Sequence, residues 1–442
     1  MKTIILLSLV FMAMGTQATS IDEQLKALIE TNNLQPLNKA PRAKIEIIRL
    51  GQRLFSDRKL SGNRDITCMH CHHPALGTSD NLPLPIGAGG EGLGQNRRQL
   101  GAKIIPRNSP ALINLGYTEI TDMFWDGRVS HDPKTGELQT PEPALNGKNP
   151  KASHITKYLT SSLAAQVIFP ITSKEEMRGF ENNELASLNS NLEIWNKVMH
   201  RLINGEQATF YQDLFSKAFP EIKNHKDFNI GHVGNALAAF ISYNFNLVNT
   251  PYDRYLRGDV HAMNEPEKKG LKVFLTRGKC VNCHAGKHLS NFEYKTTGTP
   301  QIAVLGSDKI DDRGRFDVTG VKRDLYKFRT PPLRNIVLTA PYMHTGVFKD
   351  LTGVIEHYDN VKKSMREFKV TDEIQSLYDE KIVLDTDAKR NKLRFQLMSI
   401  GELRKGLKLT KSEKDNLLIF LRDALSDDRI KSNSEILSQE KL

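Results

Sequence analysis

Apolar residues recur along most of this chain at three- and four-residue intervals, separated by polar ones. Leu185, Leu188, Leu192, Trp195, Met199 and Leu202 form one such stripe; Val233, Leu237, Phe240 or Ile241, and Phe245 form another. That period places one apolar face along a helix, and faces of this kind are core rather than site. No alternation long enough for a large sheet stands out, so the pattern predicts a mainly α fold. Two stretches rich in glycine and proline, Leu82 to Gly94 and Pro133 to Pro150, read as long loops, the kind of segment that is either functional or disordered. From Lys411 to Leu442 the chain reads as a charged helix running into a polar end, without chemistry.

The N-terminus has a different pattern. Met1-Lys2 precedes an apolar run from Ile4 to Met14, which closes on Thr16-Gln17-Ala18. A basic start, an apolar run and small residues at the cut describe a secretory signal, here residues 1–18. No later apolar run approaches the roughly 18 residues that span a bilayer. The reading is therefore export without an anchor or membrane span, which suggests a periplasm. With 442 residues, 39% of them hydrophobic, the chain can bury a sizeable core and has room for two or three domains. Its formal charge of +11 could steer an acidic partner, although a solvated basic surface is the simpler reading. Nucleic acid is not expected as a partner.

Export changes how the cysteines are read. An oxidising compartment permits disulfides, so two bridges are one alternative. The spacing favours another: all four cysteines fall in two copies of C-x-x-C-H, Cys68-Met69-His70-Cys71-His72 and Cys280-Val281-Asn282-Cys283-His284. Two thiols in one turn can bond both vinyl groups of a haem, and the next residue then offers an imidazole to the iron. Zinc or thioredoxin-like chemistry stays open for a single copy. Two copies that use every cysteine favour two covalent c-type haems, with His72 and His284 as proximal ligands. His70 and His73 read as packing or surface residues. The motifs also end a degenerate repeat, "RLGQRLFSDRKLSGNRDITCMHCH" and "KKGLKVFLTRGKCVNCH", which predicts two related haem domains.

Around these motifs stand "PRNSPALIN" (106–114), "FWDGR" (124–128), "LAAQVIFPITSKEEM" (163–177), "TPPLRNIVLTAPYMHTGVF" (330–348) and "VIEHYDN" (354–360). In this order the chain resembles the bacterial dihaem cytochrome c peroxidases and their MauG-like relatives, from about Ile47 to Leu421. The resemblance implies a haem-dependent oxidoreductase acting on peroxide, with the peroxide site at the N-terminal haem and electron exchange at the C-terminal one. Relatives that rest inactive plug the first iron with a histidine on a glycine-rich loop. Here that place is Ala88, and no histidine occurs from Pro74 to Ser130, so an open iron is expected.

What the resemblance implies for other residues follows the matched blocks. Glu176, at the end of "SKEEM", takes the place of the catalytic carboxylate, with Glu175 solvated beside it, and Gln166 takes that of a glutamine that orients peroxide. Trp125 takes the place of an inter-haem tryptophan, with a buried aromatic as the plainer reading. Tyr358 falls where the peroxidases carry a methionine ligand to the second iron and the MauG-like branch a tyrosine; Met343 is the fallback ligand, and His344 is structural. Asn108, Thr339 and Pro341 match a calcium site built from amide and backbone oxygens. One departure is Gly278, where MauG has a tryptophan through which its protein substrate is oxidised.

Together these readings give two cytochrome c-like haem domains with long loops and an inserted helical segment. The limits are residues 19–183 for the peroxidatic domain, 184–250 for the insertion, 251–425 for the electron-transfer domain and 426–442 for a polar tail. Three functions are carried forward. The first is a periplasmic dihaem peroxidase reducing hydrogen peroxide with electrons from a small donor protein. The second is a MauG-like enzyme using a high-valent dihaem state to oxidise side chains of a partner protein, and the third is a dihaem electron carrier without catalysis.

Overall fold

The computed structural model describes residues 20–427, so the signal-like segment and nearly all of the polar tail lie outside the described residues. Within them the chain is mainly helical, as its periodicity predicts. The first part holds α1 (Ile21–Thr31), α2 (Ile45–Phe55), the haem-motif turn α3 (Cys68–Cys71), α4 (Ser162–Gln166), α5 (Asn191–Asn204), α6 (Ala208–Ala218) and α7 (Ile230–Asn244). The second holds α8 (Glu265–Leu275), α9 (Leu351–Asp359), α10 (Gly401–Lys405) and α11 (Lys411–Ile419). Strands are short. β1 (Asp122–Met123), β2 (Val129–His131) and β3 (Leu138–Gln139) form one antiparallel sheet in that order.

Two hydrophobic cores follow the two haem motifs. The first gathers α2, α4, α5, α6 and α7 around residues such as Leu54, Trp195, Phe215 and Leu237. Both apolar stripes read from the sequence are buried there, and Trp195 donates its indole N–H to Ile168 O at 3.0 Å. The second core packs α1, α8, α9 and α11 around Phe274 and Phe420. It also takes in Leu82, Leu84, Ile86 and Ile104 from the early loop. The Tyr378 hydroxyl pins that loop by accepting from Leu84 N–H (2.8 Å) and donating to Leu84 O (2.9 Å).

The sequence repeat has a physical basis in how helices cross. In α2, a Cβ placed on Gly51 would lie 1.9 Å from Ala236 O and 2.8 Å from Phe240 Cβ on α7. In α8, a Cβ on Gly270 would lie 2.0 Å from Asn416 O and 2.6 Å from Phe420 Cβ on and just after α11. Only glycine lets the two backbones approach this closely. The phenylalanine four positions on then meets its counterpart, Phe55 on Phe240 at 5.2 Å and Phe274 on Phe420 at 5.5 Å. The same crossing thus precedes each haem motif. Gly51→Ala and Gly270→Ala should each destabilise the fold by at least the roughly 1–3 kcal/mol typical of overpacking. Chemical denaturation would read this, and an unchanged midpoint would show that the crossing relaxes freely.

The region after Lys411 differs from its sequence reading. Leu417 and Leu421 line the second haem-motif cavity and Phe420 is fully buried, so this segment closes the second core instead of trailing from it. Its many charges masked a narrow apolar face.

Candidate haem sites

Two cavities adjoin the two C-x-x-C-H motifs. None of the four cysteines is disulfide-bonded, so the two-bridge alternative is not realised. At the first motif, α3 turns Cys68, Cys71 and His72 toward one cavity. His72 Nδ1 lies 3.1 Å from Thr78 O, and burial pulls the imidazole down to about 4, so the ring is neutral. A carbonyl at Nδ1 places the proton there and leaves Nε2 as the lone-pair donor, as a haem ligand requires. The second motif repeats this device: His284 Nδ1 lies 2.9 Å from Leu289 O, and burial again brings the ring to about 4. Two thiols, one oriented neutral imidazole and an adjoining cavity, present twice, fit a covalent haem at each site. His70 instead accepts from Thr67 N–H, and His73 caps the turn at Pro74.

On the first cavity's wall stand Glu176, Gln166 and Arg128. Glu176 sits on a single wide turn, with Arg178 N–H bonded to Ser173 O at 2.9 Å and Gly179 N–H to Lys174 O at 3.2 Å. Such one-turn widenings recur at functional sites because they re-aim a side chain. Burial raises the Glu176 carboxyl above its ordinary value; Arg128 opposes that shift and Glu175 adds to it. Glu175 itself is exposed. Gln166 ends α4 beside the same cavity. Arg128 was not singled out from sequence, although it lies in the quoted "FWDGR".

The glycine-rich loop is held firmly against this turn. Ala88 N–H donates to Glu176 O at 3.0 Å, and Gly89 N–H to Asp65 Oδ2 at 2.8 Å. A Cβ on Gly87 would lie 1.6 Å from Glu175 O, so only glycine permits the contact. Arg97, 2% exposed, clamps the loop from behind by donating to Ile86 O (2.8 Å), Gly87 O (2.8 Å) and Gly92 O (3.0 Å). Replacing Arg97 with alanine strands these acceptors and should cost about 1–3 kcal/mol, judged by the price of a buried polar group left unpaired. Hydrogen exchange at Gly87 to Gly92 should accelerate in that variant; unchanged protection would remove Arg97 from this role.

Between the cavities lies Trp125. It occupies the β1–β2 connection, whose register pairs Met123 with Val129. Positive φ at Phe124 (64°) and Gly127 (68°) makes that turn tight. A Cβ on Gly127 would lie 1.7 Å from Tyr294 Oη, so glycine is needed there. Trp125 donates its indole N–H to Asn108 O at 2.8 Å, and both residues line both cavities. They form a shared wall, which sequence alone does not reveal. Behind it, His344 stacks on Phe328 at 3.6 Å and meets Trp125 edge-on at 6.5 Å.

In the second cavity, Tyr358 from α9 and Met343 accompany His284. Burial, with Cys283 and Cys280 nearby, pushes the Tyr358 phenol up from its ordinary value. Asn108, Thr339 and Pro341 line the same cavity, and Asn108 Nδ2 donates to Leu82 O at 2.8 Å. The amide oxygen is then the donor atom left to face a cation. Among the described residues no cluster of three or more His, Cys, Asp or Glu side chains could hold a metal ion. Gly278 is buried, and a Cβ there would lie 3.0 Å from Val273 O and 3.2 Å from Cys280 Sγ.

Fold and sites together define a haem-dependent oxidoreductase with two c-type haems. Comparison with known proteins agrees: the profile of the family described as di-haem cytochrome c peroxidase matches residues 45–261. The cytochrome c551 peroxidase of Pseudomonas aeruginosa is 29% identical over 355 residues, covering 79% of this chain and 80% of that protein. The methylamine utilization protein MauG of Methylorubrum extorquens is 28% identical over 336 residues, covering 76% and 74%. Among solved structures, a MauG-like protein associated with microbial copper homeostasis aligns with a TM-score of 0.60 at 24% identity, covering 92% of this chain and 95% of that one. The diheme peroxidase BthA of Burkholderia thailandensis aligns with a TM-score of 0.57 at 19% identity, covering 90% and 91%. The chain is thus similar to the di-haem cytochrome c peroxidases and to MauG over about three quarters of its length, with the family profile matched over residues 45–261.

Proposed function

We propose that this protein reduces hydrogen peroxide at its first haem, with electrons passed through its second. The observation that carries the reading is the meeting of His72, Glu176, Gln166 and Arg128 at one cavity, with Ala88, not a histidine, on the glycine-rich loop bonded to the Glu176 turn. Bound there, the haems supply iron that can accept peroxide and exchange electrons. Glu176, as carboxylate, takes the proton from one peroxide oxygen and returns it to the other, which turns the departing oxygen into water. Gln166 offers an amide N–H and a carbonyl to orient the peroxide. Arg128 lowers the cost of the buried Glu176 charge. Trp125, in the wall common to both cavities, is the relay between them. His72 and His284 stay neutral and directed by their Nδ1 partners. Asn108, Thr339 and Pro341 supply oxygen donors suited to calcium, with water completing the shell.

Tyr358 favours a second reading, in which the oxidising equivalents are shared with the second site and used on a partner protein. Gly278 counts against copying MauG's route, because it stands where MauG has the tryptophan through which its protein substrate is oxidised. A non-catalytic carrier would not need an acid–base group facing the first cavity. The domain limits given above belong to this proposal, as does a periplasmic location, which rests on the leader-like residues. No helix among the described residues is long and apolar enough to cross a membrane.

Low-temperature EPR of the oxidised protein, followed by one equivalent of peroxide, tests the proposal. A high-spin and a low-spin ferric signal that are both lost promptly support it. Two low-spin signals with no reaction before reduction would overturn the open first iron and place the protein with reductively activated peroxidases or simple electron carriers; no reaction after reduction either would overturn peroxide reduction itself.

A further inference from the structure

The surface around the second cavity is strongly basic. Arg277 and Lys279 flank Gly278 before the second haem motif, and Arg404, Lys405, Lys408 and Lys411 lie on and beside α10 and at the start of α11; all six are exposed. Arg277 Nη2 donates to Lys408 O at 3.0 Å, which joins the two segments. The same segments form the cavity wall, through Gly278, Lys279, Leu403, Leu407 and Leu409. The carboxylates here include Glu402, Glu413, Glu356 and Asp359; Glu413 is engaged by Arg277 at 3.4 Å and by the Thr410 cap, and Lys414 holds Glu356 and Asp359 at 2.8 Å each. Among the described residues Lys279, Lys405, Lys408 and Lys411 have no ion-pair partner.

The first cavity's surroundings are different. Of the lysines and arginines that line that cavity, all but Lys103 have an ion-pair partner: Arg107 with Asp312 and Asp126, Arg128 with Asp126, Arg313 with Asp317, Lys309 with Asp308. The unpaired positive charge is therefore concentrated at the mouth of the second haem site. A field of one sign beside a redox centre steers oppositely charged partners to it and speeds encounter.

We propose that this basic rim docks an acidic electron-transfer protein. The inference rests on the reading of the second haem as the electron port and names the chemistry of its donor. Each docking passes one electron: the partner is oxidised by one and the second haem iron reduced by one. Two dockings and two protons turn one hydrogen peroxide into two waters.

The test uses the full dihaem protein with two probes, a strongly acidic plastocyanin and a strongly basic mitochondrial cytochrome c. Binding is read by calorimetry on the oxidised proteins, and reduction of the second haem by stopped-flow with the reduced probes. The acidic probe should bind at least about 10-fold more tightly, and its rate should fall about 10-fold between low and physiological salt. The triple variant Lys405→Glu, Lys408→Glu, Lys411→Glu should abolish both advantages. Lys223→Glu with Lys226→Glu, exposed on the other half of the chain, should change neither. Preference for the basic probe, or binding indifferent to the triple reversal, overturns the docking surface. Salt-sensitive binding of the acidic probe without electron transfer would keep the rim as an acidic docking face and count against the electron port.

Discussion

Glu176→Gln should leave both haems attached and slow peroxide cleavage by about 10²- to 10⁴-fold, the range that a positioned acid–base group supplies. The amide keeps the shape of the turn and can still donate a hydrogen bond, but it cannot accept and return the proton. A loss near 10³-fold corresponds to about 4 kcal/mol of barrier. The pH profile gives a second readout. Burial raises the Glu176 carboxyl above its ordinary value, and the base is its ionised form. Activity should therefore rise with pH through an apparent pKa above that of a free glutamate, and the variant should lack this limb. Removing Arg128, which opposes the shift, should move the limb to higher pH in the parent. Rapid-mixing kinetics with the Gln variant at parental speed would remove Glu176 from the mechanism.

Tyr358→Met should raise the reduction potential of the second haem by some hundreds of millivolts, within the roughly 0.8 V over which axial ligands tune haem iron. A thioether stabilises the reduced metal, whereas a phenolate stabilises the oxidised one. Tyr358 and His284 line one cavity, and α9 buries Leu351 and Ile355 along that same wall and His357 beside them. His357 is fixed in turn, with Nδ1 2.9 Å from Ser364 Oγ and Nε2 3.0 Å from Thr297 O. The helix is thus anchored independently of the tyrosine, so the substitution should fold. Spectroelectrochemical titration reads the shift. An unchanged potential and low-spin spectrum would take the ligand role from Tyr358 and pass it to another donor lining that cavity, Met343 or His344.

Much of this was legible in local sequence. The helical stripes through Trp195 and Leu237 are buried where their period places them, since a face that must leave water repeats at the helix turn. Both C-x-x-C-H motifs are complete in five residues, so the thiols and the imidazole need no distant partner to be recognised. Harder to read was Arg97, one of two adjacent arginines in a polar stretch, whose task shows only when three carbonyls of a folded loop close around it. Arg128 lay in a quoted motif, but nothing local aimed it at Glu176. Leu417 and Leu421 were hidden among charges, and only the crossing at Gly270 turns them toward the second cavity.

By itself, then, the sequence determined the chemistry that is short in range: two cysteine pairs with their histidines, the helical class, and the absence of a histidine from Pro74 to Ser130. Tertiary structure alone decided what faces each motif. Glu176, Trp125 and Tyr358 come from separate chain segments, and two cores packed across glycine crossings bring them to the cavities. Motif geometry is held by bonds between neighbours, whereas the far side of a haem site is held by packing between strangers in sequence.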